Sequence, residues 1–381
     1  NGSVQIDAGS PSITDNTGVA GTTGDSFTFN VSVTDSVDAS ADIITKVDWS
    51  HDISSSNDSM VFMGGSYFEK TITLDQSTSD LSYTIYAEDT QGNKVTTSSS
   101  SASISDNDDP SIESDTSQAT GSTGDSYSWF VNLSDNIDAE NELTVKLDWS
   151  HASISENVSM SYTGSYWSYS HALDDSLSDM TYSFYVEDAA GNTVYSAGSQ
   201  SPGSVTDNDD PSISSVTASP STQVKNANVN LSADVTDNIL LSSVYLKITY
   251  PDSSSENFSV IANNTADSYY SLQSYSMLGS YSFQFYAQDS SGNSIVSASE
   301  TFTITDVSAP MLSDISFDEP SVLDTNSSFG WINITCTVTD DELNLVRLNY
   351  TDKNGDSTNV SMNQASTNSF YYNTSFTLFG N

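Results

Sequence analysis

Cysteine is almost missing from this chain. Cys336 stands alone in 381 residues, so no internal disulfide framework can form. Basic residues are nearly as scarce: 8 Lys+Arg face 51 Asp+Glu, a formal net charge of −43. A field that negative repels nucleic-acid phosphates and anionic lipid, which makes DNA, RNA and acidic membranes poor partners and cations good ones. Three histidines and one cysteine leave few groups for nucleophilic or zinc chemistry. No serine sits in a nucleophile-elbow context and no His/Asp pairing recurs, so no enzymatic activity is expected. No apolar run approaches the roughly 18 residues that a membrane helix needs, and no signal peptide is visible. The apolar share, 35%, is lean but sufficient for several small cores, which argues against wholesale disorder.

What the chain does have is a repeat. Prolines in similar frames fall at Pro11, Pro110, Pro211 and Pro310, spaced 99, 101 and 99. A second marker, Asp-x-x-Gly-Asn, starts at Asp89, Asp188 and Asp289, spaced 99 and 101. A third is an acidic step at Thr34-Asp35, Ser134-Asp135, Thr236-Asp237 and Thr339-Asp340. These markers divide the chain into residues 1–10, the last strand and linker of a preceding repeat, then repeat 1 (11–109), repeat 2 (110–210), repeat 3 (211–309) and an incomplete repeat 4 (310–381). Val4-Gln5-Ile6-Asp7 stands where Ser103-Ile104-Ser105-Asp106 stands later, and Phe379-Gly380 matches Leu278-Gly279, ahead of the last two strands. The chain therefore reads as a window on a longer array, or as a protomer whose final repeat another chain completes.

Within each unit the apolar period is two. Phe27, Phe29, Val31 and Val33 alternate with polar residues, as do Tyr182, Phe184 and Val186, and Ile332, Ile334, Cys336 and Val338. Such alternation marks antiparallel strands with one buried and one wet face. About seven short strands per hundred residues, parted by Ser/Asp/Gly/Asn turns, predict an all-β fold of tandem Greek-key β-sandwiches arranged as an extended rod. The run Tyr-x-Phe-x-Val-x-Asp-x-x-Gly-Asn resembles the last hairpin of immunoglobulin-like repeats in prokaryotic cell-surface proteins, a resemblance that implies fold more than function.

The junctions carry the first candidate chemistry. Asp106-Asn107-Asp108-Asp109-Pro110 and Asp207-Asn208-Asp209-Asp210-Pro211 set carboxylates beside a rigid proline. An immunoglobulin-like sandwich receives its linker at the end that, in repeat 2, holds Asp135, Asp138, Glu140, Asp188 and Asn192; repeat 3 offers Asp237 and Asp289. Hard oxygens in that number suit calcium. Asp-Asn-Asp-Asp-Pro also looks like the calcium-binding linker of cadherin repeats, although it is shorter and the Leu-Asp-Arg-Glu motif is missing, Arg347 being the sole arginine. The third linker decays to Asp306-Val307-Ser308-Ala309-Pro310. The rival reading is that Asp/Asn clusters before proline are ordinary turns, and that Gly92, Gly191 and Gly292 serve hairpin geometry alone.

N-glycosylation triplets form a second constellation. Asn57, Asn157, Asn257 and Asn359 recur at spacings of 100, 100 and 102, and Asn30, Asn132, Asn230 and Asn333 lie on the polar face of the second strand of each unit. They accept N-linked glycans if the chain is exported, and are otherwise polar residues on a wet face. Acidity is graded: net charges are −13, −16, −6 and −7 over residues 11–109, 110–210, 211–309 and 310–381, which fits metal-laden early junctions better than uniform salt adaptation. His51, His151, Cys336 and the tryptophans are expected in structural roles, and Tyr166-Trp167-Ser168-Tyr169 is the one aromatic patch that suggests carbohydrate. Together these features predict an extracellular, cell-surface structural protein with calcium at its joints, forming a surface layer, filament or stalk. Its partners would be cations and copies of itself in a lattice or filament. The alternatives are an adhesin stalk that displays a terminal binding domain, or accessory repeats of a secreted enzyme.

Overall fold

The computed structural model describes residues 7–196, 200, 204–263, 267–318, 331–351 and 355–375, so the strand expected over Val4-Gln5-Ile6 and the end of repeat 4 lie outside the described residues. The alternating segments form strands, and the one helical element among the described residues is a single 3-10 turn at Ser40–Asp42. Repeat 1 contains β1 (Ser12–Asp15), β2 (Ala20–Thr22), β3 (Ser26–Thr34), β4 (Ile44–His51), β5 (Ser54–Ser59), β6 (Val61–Gly64), β7 (Tyr67–Thr73), β8 (Leu81–Glu88), β9 (Lys94–Thr96) and β10 (Ser100–Ser105). One sheet has the order β1-β3-β7-β6; the other runs β2-β10-β8-β4-β5, with β9 also on β8. The chain changes sheet on either side of β2, and again between β3 and β4, β5 and β6, and β7 and β8, the last three being the Greek-key path of an immunoglobulin sandwich. Among the described residues of repeat 1, only β2, beside β10, pairs parallel.

Sequence period and burial agree residue by residue. In β3, Phe27, Phe29, Val31 and Val33 are buried while their neighbours face outward, and they pack into one core with Val47 of β4 and Leu81, Tyr83, Ile85 and Ala87 of β8. Each of the Phe, Val, Leu and Ile side chains among them contributes about 1.5–3 kcal/mol by leaving water. Repeat 2 uses the same plan, with strands Ser111–Asp115, Ser126–Ser134, Trp167–Ala172 and Ser161–Tyr162 in one sheet and Ile154–Ser159, Thr144–His151, Met180–Glu187 and Thr193–Tyr195 in the other. Its core is built on Trp129 and Trp149, both fully enclosed with ring centroids 4.8 Å apart. Repeat 3 restores the full strand order of repeat 1. In repeat 4, Met311–Asp318, Trp331–Thr339, Ser369–Ser375 and Asn363–Ser366 make a four-stranded sheet, and the described part of the facing sheet is the pair Arg347–Thr351 and Ser357–Ser361. Backbone contacts divide the chain into two compact units, Asn1–Asn208 and Asp209–Asn381.

The histidines take the structural places expected of them. His51 and His151 are each 1% exposed, and His51 Nδ1 accepts the Asp75 backbone N–H at 3.0 Å. Cys336 lies on the core face beside Met362, and burial pushes its thiol pKa up. The expected aromatic patch is corrected. Strand alternation sends Trp167 into the core, where its indole N–H donates to the Glu140 carbonyl at 3.0 Å, and lays Tyr169 against Trp129. Tyr166 alone stays exposed, edge-on to Phe130, so Tyr166-Trp167-Ser168-Tyr169 forms no continuous platform for a sugar.

Candidate metal centres

Three chain segments deliver a carboxylate to one spot between repeats 1 and 2. The linker leaves β10 at Ser105 and places Asp106; Asp135 directly follows strand Ser126–Ser134, and Asp188 directly follows strand Met180–Glu187. An oxygen from each of Asp106, Asp135 and Asp188 lies within 4.8 Å of the others. Hydrogen bonds hold these carboxylates from outside. Asp135 Oδ1 accepts the N–H groups of Ile137 and Asp138 at 2.9 and 2.8 Å. Asp188 accepts the Gly191 and Asn192 N–H groups at 2.6 and 2.8 Å and the Asn192 amide at 2.7 Å, in a turn that Gly191 completes at φ +94°. Asp106 Oδ1 accepts Thr23 Oγ1 at 2.9 Å and Asn136 Nδ2 at 3.2 Å.

The inner atoms have no such donors. Asp106 Oδ2, Asp135 Oδ2 and Asn136 Oδ1 are buried without a hydrogen-bond partner. A buried acceptor left unpaired costs about 1–3 kcal/mol. Carboxylates at this separation repel by about 3 kcal/mol per pair at an effective dielectric constant near 20. Among the described residues, no lysine or arginine forms an ion pair with any of the three. Orphaned hard oxygens, like charge and a side-chain amide oxygen are the donor set of a divalent cation of the calcium type.

The other junction residues act around this trio. Asp108 Oδ2 shares the Thr23 hydroxyl and Asn136 amide with Asp106, at 3.1 and 2.9 Å. Asp138 accepts the Ala189 N–H at 2.8 Å and straps the two loops together, while Asp109 accepts the Thr193 N–H at 3.2 Å. Asn107, expected as a ligand, turns back to donate to Asp25 at 3.3 Å. Further along, the structure places Asp207 under the Thr123 hydroxyl at 3.2 Å, Asp209 under the Asn238 amide at 2.9 Å and Asp210 under the Ser294 N–H at 3.1 Å. Asp237 Oδ2 accepts the Ile239 and Leu240 N–H groups and leaves Oδ1 buried without a partner, and Asp289 is 2% exposed within its own turn.

A second carboxylate trio, absent from the sequence expectations, lies at the start of repeat 1. Oxygens of Asp7, Asp35 and Asp38 gather within the same 4.8 Å. Asp7 is 9% exposed; its Oδ1 accepts the Gly9 N–H at 2.9 Å and its Oδ2 is buried without a partner. The backbone N–H groups of Val37 and Asp38 hold the Asp35 carboxyl below its usual pKa, against burial. The adjacent Asp89 behaves alike: burial raises its pKa, but the Asn93 amide and the N–H groups of Asn93, Gln91 and Gly92 outweigh it. The signal was available, since Asp7 aligns with Asp106 and Asp35 with Asp135.

The eight glycan-acceptor candidates separate cleanly. Asn57, Asn157, Asn257 and Asn359 are all exposed, each on an outer strand and each opposite the matching residue of its neighbour: Asp48, Asp148, Lys247 and Asn349. Asn30, Asn132, Asn230 and Asn333 are half-buried between strands, Asn30 donating to Glu69 at 2.7 Å and Asn132 to Ser114 at 2.9 Å.

The chain matches no protein-family model and no curated protein sequence. Among solved structures it is similar to a tetra-tandem repeat in the extending region of a large adhesion protein, at 18% identity over 96% of this chain and 90% of that one, with a TM-score of 0.39. It is similar to a Ca2+-stabilized adhesin of an Antarctic bacterium at 12% identity, over 97% and 91%, with a TM-score of 0.30. Domains of titin align at 15% identity, over 77% and 99%, with a TM-score of 0.31. The fold is a tandem array of immunoglobulin-like sandwiches.

Proposed function

We propose that this chain is a structural repeat array of an extracellular cell-surface protein, in which a calcium ion held by Asp106, Asp135 and Asp188 fixes the joint between repeats 1 and 2. The observation that carries this reading is the convergence of three carboxylates, two of which, Asp106 and Asp135, keep a buried oxygen without a donor beside the equally unpaired Asn136 Oδ1. The residues have separate jobs. Asp135 and Asp188 belong to repeat 2, while Asp106 is tied through Thr23 to repeat 1, so a cation bound by all three links the repeats. Bound calcium offsets the carboxylate repulsion. Asp7, Asp35 and Asp38 would hold a second ion by the same means. Extracellular calcium modules work at dissociation constants of about 10⁻⁴–10⁻³ M, a range that would suit such a joint at the cell surface. A surface layer, a filament or a stalk would each use this design, with copies of the chain as neighbours and glycans on Asn57, Asn157, Asn257 and Asn359.

Isothermal titration of the chelator-stripped chain with calcium tests the reading. Saturable binding that loses one class of site in the triple variant Asp106→Asn, Asp135→Asn, Asp188→Asn supports it. No binding at millimolar calcium overturns it.

A further inference from the structure

The joint between repeats 3 and 4 follows the same backbone plan with a different charge inventory. Thr23 N–H donates to the Ser105 carbonyl at 3.1 Å, and Lys225 N–H donates to the Thr305 carbonyl at 3.1 Å, so the two residues hold the same register beside the outgoing strand. At the first joint this position supplies a hydroxyl to two linker carboxylates, Asp106 and Asp108. At the third joint it supplies an ammonium. Lys225 Nζ lies 2.8 Å from Asp341 Oδ1, and Asp341 occupies the place of Asn136 directly after the strand-ending aspartate.

The linker has changed in step. Asp108 and Asp109 are replaced by Ser308 and Ala309, and the remaining carboxylate, Asp306, accepts the Ser308 N–H at 2.8 Å and the Ser308 hydroxyl. Those two bonds hold the Asp306 carboxyl below its usual pKa, and the Lys225 charge adds to the effect. Among the described residues, no carboxylate trio gathers around Asp340, the counterpart of Asp135. The third joint thus exchanges linker acids for one tethered positive charge.

We infer that Lys225 is a built-in cation: its ion pair with Asp341 fixes the third joint and makes that joint independent of divalent metal. The inference rests on the calcium reading of the first joint only for the contrast between the two. Within one chain, joints of two kinds would then respond differently to their surroundings. Loss of calcium loosens the first and leaves the third. High salt acts in the reverse sense, because a half-exposed ion pair is screened as the Debye length falls to about 3 Å near 1 M.

Double electron–electron resonance on the full chain, in a Cys336→Ser background, tests this. One spin-label pair spans the third joint at Ser280→Cys and Ser357→Cys, and another spans the first at Thr71→Cys and Ser155→Cys; all four positions are exposed. The third pair is expected to keep a narrow distance distribution in both calcium and chelator, and to lose it in Lys225→Met under either condition. The charge swap Lys225→Asp with Asp341→Lys should restore the narrow distribution, which separates loss of the pair from misfolding. Broadening of the third pair on chelation, or an unchanged distribution in Lys225→Met, overturns the inference. A first pair indifferent to chelator removes the calcium reading instead, while the Lys225 variants still decide the ion pair.

Discussion

Changing Asp135 to asparagine should stabilise repeat 2 in chelator and destabilise it in calcium. Asp135 Oδ1 accepts two backbone N–H groups, and the asparagine carbonyl oxygen can keep both bonds. What changes is Oδ2, the buried atom without a donor, which becomes an amide N–H group facing Asp106 and Asp188. In chelator the substitution removes two of the three carboxylate repulsions, each about 3 kcal/mol before solvent screening. Screening at a partly exposed joint reduces the gain to about 1 kcal/mol, or a melting rise of about 4–8 °C for a domain of this size. In calcium the arithmetic reverses. A cation at a hundred times its dissociation constant adds about 2.7 kcal/mol, roughly 10–20 °C, and a variant that lacks one of three charged ligands forfeits most of it. The assay is tryptophan-detected thermal unfolding, because Trp129, Trp149 and Trp167 all report on repeat 2. A shift of the same sign in both conditions refutes the reasoning: destabilisation throughout means that Asp135 only caps a turn, and stabilisation throughout means that no ion binds.

Two further outcomes follow from the same structure. Peptide mass spectrometry of native material should find glycan on Asn57, Asn157, Asn257 and Asn359 and little on the half-buried Asn30 and Asn132; bare peptides at all four edge-strand sites remove glycosylation from the account. In repeat 1, the Trp49 indole N–H donates to Asp58 at 3.1 Å and, with Ser56 and Lys70, holds the Asp58 carboxyl below its usual pKa against burial. A depressed folded-state pKa means stability present above the unfolded value, about 3.9, and lost as pH falls through the folded one. Trp49→Phe should therefore raise the Asp58 pKa in a carboxyl NMR titration and flatten the acid limb of the stability profile. An unmoved titration would show that the indole does not set it.

Much of the fold was legible because burial in a sandwich follows the strand period. Phe27 to Val33 and Tyr182 to Val186 announce both their strands and their buried faces. The same rule misled only where a residue type was read without its phase, as at Trp167, whose position on the alternation sends it inward. The candidate metal centre was half legible. Asp106, Asp135 and Asp188 come from a linker and two strand ends that the sandwich topology brings together, so their convergence could be anticipated. The direction of each side chain was not available. Asn107 faces Asp25 and Asp109 faces Thr193 because local backbone N–H and carboxylate groups claim them, a choice that composition does not encode. Asp7 stands outside any Asp-rich run, so only its alignment with Asp106 marks it in the sequence. Lys225 was hidden likewise: only the register beside Thr305 equates it with Thr23.

The most direct test of the central claim is long-wavelength anomalous diffraction from crystals of the chain grown in calcium. The account predicts an anomalous peak among Asp106, Asp135 and Asp188, with oxygen distances of about 2.3–2.6 Å, and a second among Asp7, Asp35 and Asp38. Well-ordered carboxylates at both positions with water alone between them would contradict it.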